Sequence, residues 1–175
     1  MVTQSTVRPG PIRQPPPNDW FKANSGGSFH DIDHAGFGGV FRDCNAEFLG
    51  AFTCGLRVNY AIDAELLAVI EIIRVAKGKT WFPLWIETDS MLVLHYFRKP
   101  HLVPWRLRVK WMNSIASISQ HQVYISHVFR EANRVADKLA NHGARNVGYL
   151  WWDSIPQFLL SSYGNDFTGH AAFRF

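Results

Sequence analysis

Three acidic residues stand where they could support metal-ion chemistry. Glu65 lies in a long segment of helical apolar periodicity, Asp89 ends a short apolar run, and Asp137 lies late in the chain between Ala136 and Lys138. A carboxylate inside an apolar stripe is costly to bury unless something pairs with it. Acids that converge from separate elements on one sheet edge suit two Mg²⁺ ions, because hard cations prefer oxygen ligands and clustered carboxylates offset their charge.

Each acid also has an ordinary explanation when it is taken alone. Glu65 could be a first-turn acid that the helix dipole favours near solvent. Asp89 could cap the helix that follows it, and Asp137 could be a solvated residue of a partly exposed helix. The three acids taken together are less ordinary, so the sequence predicts a catalytic metal site while both explanations stay open for each residue.

The elements that must position these acids follow from apolar periodicity and turn residues. Three successive strands are predicted over residues 20–28, 35–43 and 47–56, and two later strands over 84–89 and 122–129. Helices are predicted over 63–77, with Asp63 at the N-cap, and over 91–98, 106–119 and 133–145. Strands first and then alternation imply an α/β fold with a mixed sheet flanked by helices.

Glycines in the second predicted strand carry a further expectation. Gly36, Gly38 and Gly39 would weaken a strand unless another backbone or a ligand approaches it closely. We therefore expect a close neighbour on at least one face of this strand.

Composition is typical of one packed domain rather than a disordered chain. Hydrophobic residues make up 47% of the 175 residues and aromatic residues 14%. The net charge of +4 mildly favours a polyanionic partner. From Arg98 to Lys110 there are five Lys or Arg residues and no acid, interleaved with Trp105 and Trp111.

Compartment and domain limits follow from the rest of the chain. Cys44 and Cys54 are too few for a disulfide framework, which indicates a reducing compartment. No apolar run approaches the roughly 18 residues of a membrane span, so an intracellular protein of the nucleus or cytoplasm is expected. Residues 1–18 contain five prolines and are predicted to form a linker, residues 19–146 the domain, and residues 147–175 a tail packed on it.

Five segments of the chain resemble one known family. They are WFKANSGGSF, AGFGGVFRD, AELLAVIEII, WIETDS and HVFREANRVADKLA, which together span roughly residues 20–145. In order and spacing they resemble the ribonuclease H-like domain of plant non-LTR retrotransposon reverse transcriptases and of related stand-alone plant proteins. The resemblance implies a ribonuclease H-like fold with a mixed five-stranded sheet, ordered 3-2-1-4-5. It also implies hydrolysis of the RNA strand of RNA–DNA hybrids with two Mg²⁺ (or Mn²⁺) ions.

The same resemblance assigns the catalytic and metal-ligand roles to Glu65, Asp89 and Asp137. The family's first aspartate, which bridges both metals, falls on Gly26. Two divalent ions about 4 Å apart repel each other, and the bridging carboxylate is the group that screens them. Glycine offers no side-chain ligand, so we expect weakened metal binding and cleavage that is lost or strongly reduced.

Substitute ligands near Gly26 are few. Ser25 and Ser28 supply only neutral oxygens, while Asp31 and Asp33 are expected beyond the turn rather than on the strand. Neither aspartate is therefore expected to replace the missing acid.

Binding to a nucleic acid does not require the missing acid. Strand contacts come from backbone amides, hydroxyls and cations, and each neutralised phosphate adds salt-dependent affinity. Bacterial-type relatives place a mobile histidine where Arg130 stands here. The predicted nucleic-acid contacts are Ser25, Ser28, Asn45, Arg98, Lys99, Arg106, Arg108, Lys110 and Arg130. The alternative for the basic stretch is a solvated helix face with Trp105 and Trp111 packed inward.

Three hypotheses about function remain at this point. The chain could be a hybrid-binding domain with lost or strongly reduced cleavage, an active ribonuclease that uses a substitute ligand, or a protein-interaction scaffold. Fold resemblance alone does not decide among them.

Overall fold

The computed structural model describes residues 16–167, with side chains described through Tyr163. Most of the predicted linker and the end of the predicted tail lie outside the described residues. The strands are β1 (Phe21–Asp31), β2 (His34–Arg42), β3 (Phe48–Leu56), β4 (Leu84–Thr88), β5 (Val123–His127) and β6 (Tyr149–Trp152). The helices are α1 (Ala61–Lys79), α2 (Met91–Arg98), α3 (Trp105–Ser117), α4 (Arg134–Arg145) and α5 (Leu160–Phe167).

The strands form one mixed sheet in the order β5-β4-β1-β2-β3-β6. Strands β1, β2 and β3 are an antiparallel meander, while β4 and β5 continue the sheet in parallel from β1. The predicted order 3-2-1-4-5 is confirmed. The sheet has a sixth strand that the sequence did not predict, because β6 pairs antiparallel with β3 and so covers its outer edge.

Helix α1 begins two residues earlier than predicted, and its first turn is arranged differently. Tyr60 is the N-cap residue, and Asp63 lies inside the helix at 3% exposure. The Arg106 guanidinium holds the Asp63 carboxylate with two short contacts, Nε to Oδ2 at 2.8 Å and Nη2 to Oδ1 at 2.7 Å. The prediction of Asp63 as the N-cap was therefore wrong, and the bidentate contact with Arg106 allows its carboxylate to be buried inside the helix.

Helices cover both faces of the sheet. On one face α1 packs against β1 and β2, with α2 and α3 alongside it, and this layer encloses the larger core. On the other face α4 packs against β1, β2 and β3 and shares a smaller core with the tail, in which Leu159 is fully buried and Tyr163 is 9% exposed. Within residues 16–167 we find no helix with both the length and the apolar character needed to cross a membrane.

Helix α4 approaches the sheet unusually closely. A side chain at Gly36 would overlap the backbone of Gly143 and Ala144, and one at Gly38 would meet Leu139. At Gly39, on the other face, the neighbour is the ring of Phe52. The expectation of a close neighbour is confirmed, and the position of α4 relative to the strands is consequently fixed by backbone contact.

Candidate functional site

Strand β1 carries two glycines at its centre, and each faces a different helix. A Cβ added to Gly26 would lie 2.8 Å from the carbonyl oxygen of Ala136 and 3.2 Å from the amide nitrogen of Asp137, both on α4. A Cβ added to Gly27 would lie 2.8 Å from Cδ of Glu65 on α1. The strand therefore runs between Glu65 on one side and Asp137 on the other. It presents glycine backbone, without a side chain, to both helices.

Glu65 is a buried carboxyl group with a strongly perturbed pKa. Burial, followed by the charge of the nearby Asp89 carboxylate, raises its pKa to about 8, although a hydrogen bond from the Gly27 backbone N–H opposes the rise. Its Oε2 atom is buried and has no hydrogen-bond partner among the described residues. The burial of Oε2 argues against an ordinary solvated first-turn acid, although Glu65 as a whole residue is only partly buried.

Asp89 directly follows β4, at the carboxyl end of a central parallel strand, where active-site groups of α/β sheets gather. Burial raises the pKa of its carboxyl group. Its Oδ1 atom is buried and lacks a hydrogen-bond partner in the described part of the chain. The explanation of Asp89 as a helix cap was also wrong, because Ser90 caps α2 and accepts a hydrogen bond from the Val93 amide.

Asp137, in the first turn of α4, is held by polar neighbours. The Arg130 guanidinium donates to Oδ1 at 3.3 Å, and the Asn141 amide donates to Oδ2 at 3.2 Å. The Ser28 hydroxyl in turn donates to the Asn141 side-chain oxygen at 2.8 Å. Asp137 is thus only partly exposed, and a cation already lies beside it.

Asn133 ties the start of α4 to β1, a role that the sequence reasoning missed. Its side chain is fully buried and donates to the backbone oxygen of Ser25 at 2.8 Å, while its Oδ1 accepts from Asn24 at 3.2 Å. Asn24 also donates to Glu87 at 2.9 Å and accepts from Arg42 at 3.0 Å. The polar residue Asn24, which lies between Ala23 and Ser25 in a largely buried strand, was the feature of the sequence that could have indicated this network.

Asp31 and Asp33 are occupied away from Gly26. Asp31 is the last residue of β1, not beyond the turn as expected, and its carboxylate contacts the His34 ring at 2.8 Å. Asp33 pairs with Arg57 at 2.7 Å. Neither carboxylate takes the place of an acid at position 26.

The described side chains do not fit a pair of divalent cations. Among residues whose side chains are described, no three or more Asp, Glu, His or Cys form a group that could hold a metal ion. Glu65 and Asp89 each offer an unpartnered buried oxygen, which is the kind of ligand that one hard cation prefers. However, Asp137 is bound to Arg130, and Gly26 contributes no oxygen. Glu65, Asp89 and Asp137 lie close enough for their charges to interact, but position 26 adds no carboxylate beside them.

Three predicted nucleic-acid contacts are placed where they offer little to a ligand. Ser25 is fully buried, and its hydroxyl donates to the Glu87 backbone oxygen within the domain. Ser28 is 8% exposed and committed to Asn141. Asn45 is exposed, but it lies in the β2–β3 turn, at the end of the sheet where β1 begins rather than at Gly26. The contact of Asn45 with nucleic acid therefore stays a prediction, and it concerns a different part of the surface from Gly26.

The predicted cationic contacts divide into engaged and exposed side chains. Arg106 is bound to Asp63, and the Arg108 Nε atom donates to the Val103 backbone oxygen at 3.0 Å. Arg130 is exposed but bound to Asp137. The other predicted cations also lie at the surface: Arg98, Lys99 and Lys110. The two tryptophans of the basic stretch separate, since Trp111 is fully buried and Trp105 is 80% exposed. The inward-packing alternative was therefore right for one of them only.

Comparison with known proteins identifies the family. Residues 24–143 match the family described as reverse transcriptase-like. This chain belongs to the reverse transcriptase-like family. The matched residues include Gly26, Glu65, Asp89 and Asp137, so the altered first position lies inside the family region rather than at its margin.

One relative with a similar sequence is a plant protein. It is provisionally named a ribonuclease H protein, comes from Arabidopsis thaliana, and is 30% identical over 154 residues, which cover 86% of this chain. The chain spans only about a quarter of that relative's length, 25%. The family domain is thus one part of a longer protein in that relative.

Comparison with solved structures identifies the fold of this chain. RNase H1 of the archaeon Halobacterium salinarum has a TM-score of 0.63 at 21% identity, covering 71% of this chain and 97% of that one. LC11-RNase H1, solved in complex with an RNA/DNA hybrid, has a TM-score of 0.64 at 18% identity, covering 71% and 96%. A foamy viral protease-reverse transcriptase with an RNA/DNA hybrid has a TM-score of 0.54 at 23% identity, covering 71% and 19%. The fold of this family member is the ribonuclease H fold.

Proposed function

We propose that this chain is a nucleic-acid-binding domain for RNA–DNA hybrids in which ribonuclease H cleavage is lost or strongly reduced. The observation that carries the proposal is the bare backbone at Gly26, on the strand between Glu65 and Asp137. Without a carboxylate at this position, nothing there can screen two cations from each other. Mg²⁺ or Mn²⁺ binding is correspondingly weakened.

The neighbourhood of Asp137 supports the same proposal. Arg130 donates to its carboxylate, so the positive charge beside this acid comes from the protein itself. A divalent ion would have to approach that guanidinium, which repels it. Metal binding at this carboxylate therefore competes with an internal ion pair.

We attribute hybrid binding to cations that are not paired with the acids of the site. Lys99 and Lys110 are exposed and are not part of the acid site, and two of the fold relatives were solved with an RNA/DNA hybrid. Recognition of a hybrid depends largely on backbone contacts and duplex shape, which need no metal. In a plot of the logarithm of the binding constant against the logarithm of the salt concentration, each phosphate contact makes the slope more negative by about 0.9 for a B-form duplex.

Two measurements on the unaltered chain test the proposal. Binding of a labelled RNA–DNA hybrid is measured at several salt concentrations, and cleavage of the same hybrid is measured with Mg²⁺ and with Mn²⁺. We expect salt-sensitive binding without appreciable cleavage, and weaker binding with a smaller salt slope in Lys99→Ala. A Glu47→Ala variant, at an exposed residue of the distant β2–β3 turn, serves as the control. Absence of binding at low salt would refute the proposal.

The second candidate is an active ribonuclease that holds a single cation with substitute ligands. The unpartnered oxygens of Glu65 and Asp89 favour it, because two buried carboxylates can bind one hard cation. Hybrid cleavage by the unaltered chain that disappears in both Glu65→Gln and Asp89→Asn would establish this candidate and overturn the first. The Gly26→Asp variant adds the absent acid, and cleavage gained only in that variant identifies position 26 as the limiting one.

A further inference from the structure

Helix α3 has an apolar face that the domain does not use. Trp105 is 80% exposed, Val109 is 72% exposed and Met112 is 45% exposed. Ala116, one turn further along, is also exposed. A surface tryptophan with this exposure followed by aliphatic residues on the same helix face is uncommon in a monomeric domain, and such patches mark interaction sites.

The spacing of these residues has the pattern of a helix-pairing seam. From Trp105 through Val109 and Met112 to Ala116 the intervals are four, three and four residues. These intervals alternate as the a and d positions of a heptad do, and such positions meet the knobs of a partner helix. We call these four residues the α3 seam.

The core does not account for the α3 seam. Helix α3 turns a different face inward, where Trp111 is fully buried and its indole N–H donates to the Tyr96 backbone oxygen at 3.2 Å. Ile118, just beyond the helix, is also fully buried. The α3 seam is therefore a second apolar face on a helix that is already anchored.

Charge around the α3 seam indicates the chemistry of its partner. The chain has no acidic residue between Asp89 and Glu131. On α3, Asp63 offsets the charge of Arg106, while Arg108 and Lys110 keep the surface of this helix positive. A second copy of the chain would bring like charges together on this face, which is unfavourable. A helix that bears acids beside its apolar face would instead be attracted.

We propose that the α3 seam docks an amphipathic helix of a partner protein whose apolar face is flanked by Asp and Glu residues. The seam is about 16 Å long at 1.5 Å per residue, which is about three helical turns. Trp105 is the anchor, because aromatic residues dominate such contacts, and Arg108 lies at a flanking position where it can meet an acid of the partner. The α3 seam shares no residue with the acid site, and its test does not require hybrid binding.

A synthetic peptide tests the docking proposal on the full chain. The probe is a helix of about three heptads with Leu at a and d and Glu at e and g, and the control peptide has Lys in place of Glu. Titration calorimetry is expected to show binding of the Glu peptide, at least tenfold weaker binding of the Lys peptide, and at least tenfold weaker binding of the Glu peptide to Trp105→Ser. Leu92→Ser, which replaces a residue of α2 that is 53% exposed, is the matched control and should bind as the unaltered chain does.

Three outcomes would overturn the docking proposal. The first is no binding of the Glu peptide by a chain whose circular dichroism shows it to be folded, and the second is equal binding of the two peptides. The third is self-association in sedimentation, or hybrid binding, that is lost in Trp105→Ser while peptide binding is unchanged. In that last case the seam serves a second copy or a nucleic acid instead.

Discussion

Adding a single methyl group at position 26 should destabilise this domain. In Gly26→Ala the new Cβ would lie 2.8 Å from the carbonyl oxygen and 2.9 Å from the carbonyl carbon of Ala136. Both atoms belong to the backbone of α4, so no side-chain rotation can relieve the contact, and the strand and helix must separate. Overpacking of this kind costs about 1–3 kcal/mol.

An opposite effect must be subtracted from that cost. Replacing glycine by alanine reduces the entropy of the unfolded chain and stabilises by about 0.4–1 kcal/mol where the backbone accepts it. The overpacking is larger, so we expect a net loss of about 1–2 kcal/mol in the free energy of unfolding. Urea unfolding followed by tryptophan fluorescence and by circular dichroism measures this as a lower midpoint.

Gly78→Ala is the matched control, since no atom lies within 4 Å of the Cβ that it would add. Gly78 is in α1, where alanine is the better helix former, and we expect that variant to gain about 0.5–1 kcal/mol. A Gly26→Ala variant as stable as the unaltered chain would refute the argument that α4 rests directly on the strand. It would also show that an acid could be accommodated at position 26 without displacing α4.

Three further predictions concern the charged groups. Because burial raises the pKa of Glu65 from 4.5 to about 8, the folded state binds its proton more tightly, so the free energy of unfolding should fall as pH rises through that interval. Glu65→Gln should remove this fall, and identical pH profiles would contradict it. Arg130→Ala removes the cation 3.3 Å from Asp137 and should tighten Mn²⁺ binding in calorimetry, whereas unchanged affinity would show that the ion pair does not compete. Asp63→Asn leaves Arg106 without its bidentate partner and should lower the urea midpoint by the equivalent of about 2 kcal/mol; an unchanged midpoint would count against that pair.

The sequence was sufficient to predict the order and type of the elements up to α4. Alternating strands and periodic helices report their own burial, because one face of each must be apolar. Strand β6 was missed since its four residues, Tyr149–Trp152, are too short and too continuously apolar to show a period. Its pairing with β3 is a long-range contact that local patterns do not encode.

The environments of the individual site residues were predicted less completely than the fold. Glu65 and Asp89 each have one buried carboxylate oxygen, which agrees with an acid in an apolar stripe and an acid after a buried strand. The internal partners of Ser25 and Arg106 were not predicted, because they lie 62 and 43 residues away in the chain. A side chain's partner across such a distance is set by packing, which the local sequence does not specify.

Strand β6 also sets how short a folded fragment of this chain can be. A fragment that ended at Asn146 would leave the main chain of β3 unpaired where Ala51–Cys54 now meet Tyr149–Trp152. It would also uncover Gly50, against which the Trp151 ring lies. An open, largely apolar strand edge recruits strands from other molecules. Expression of the domain in soluble form therefore calls for a boundary beyond Trp152.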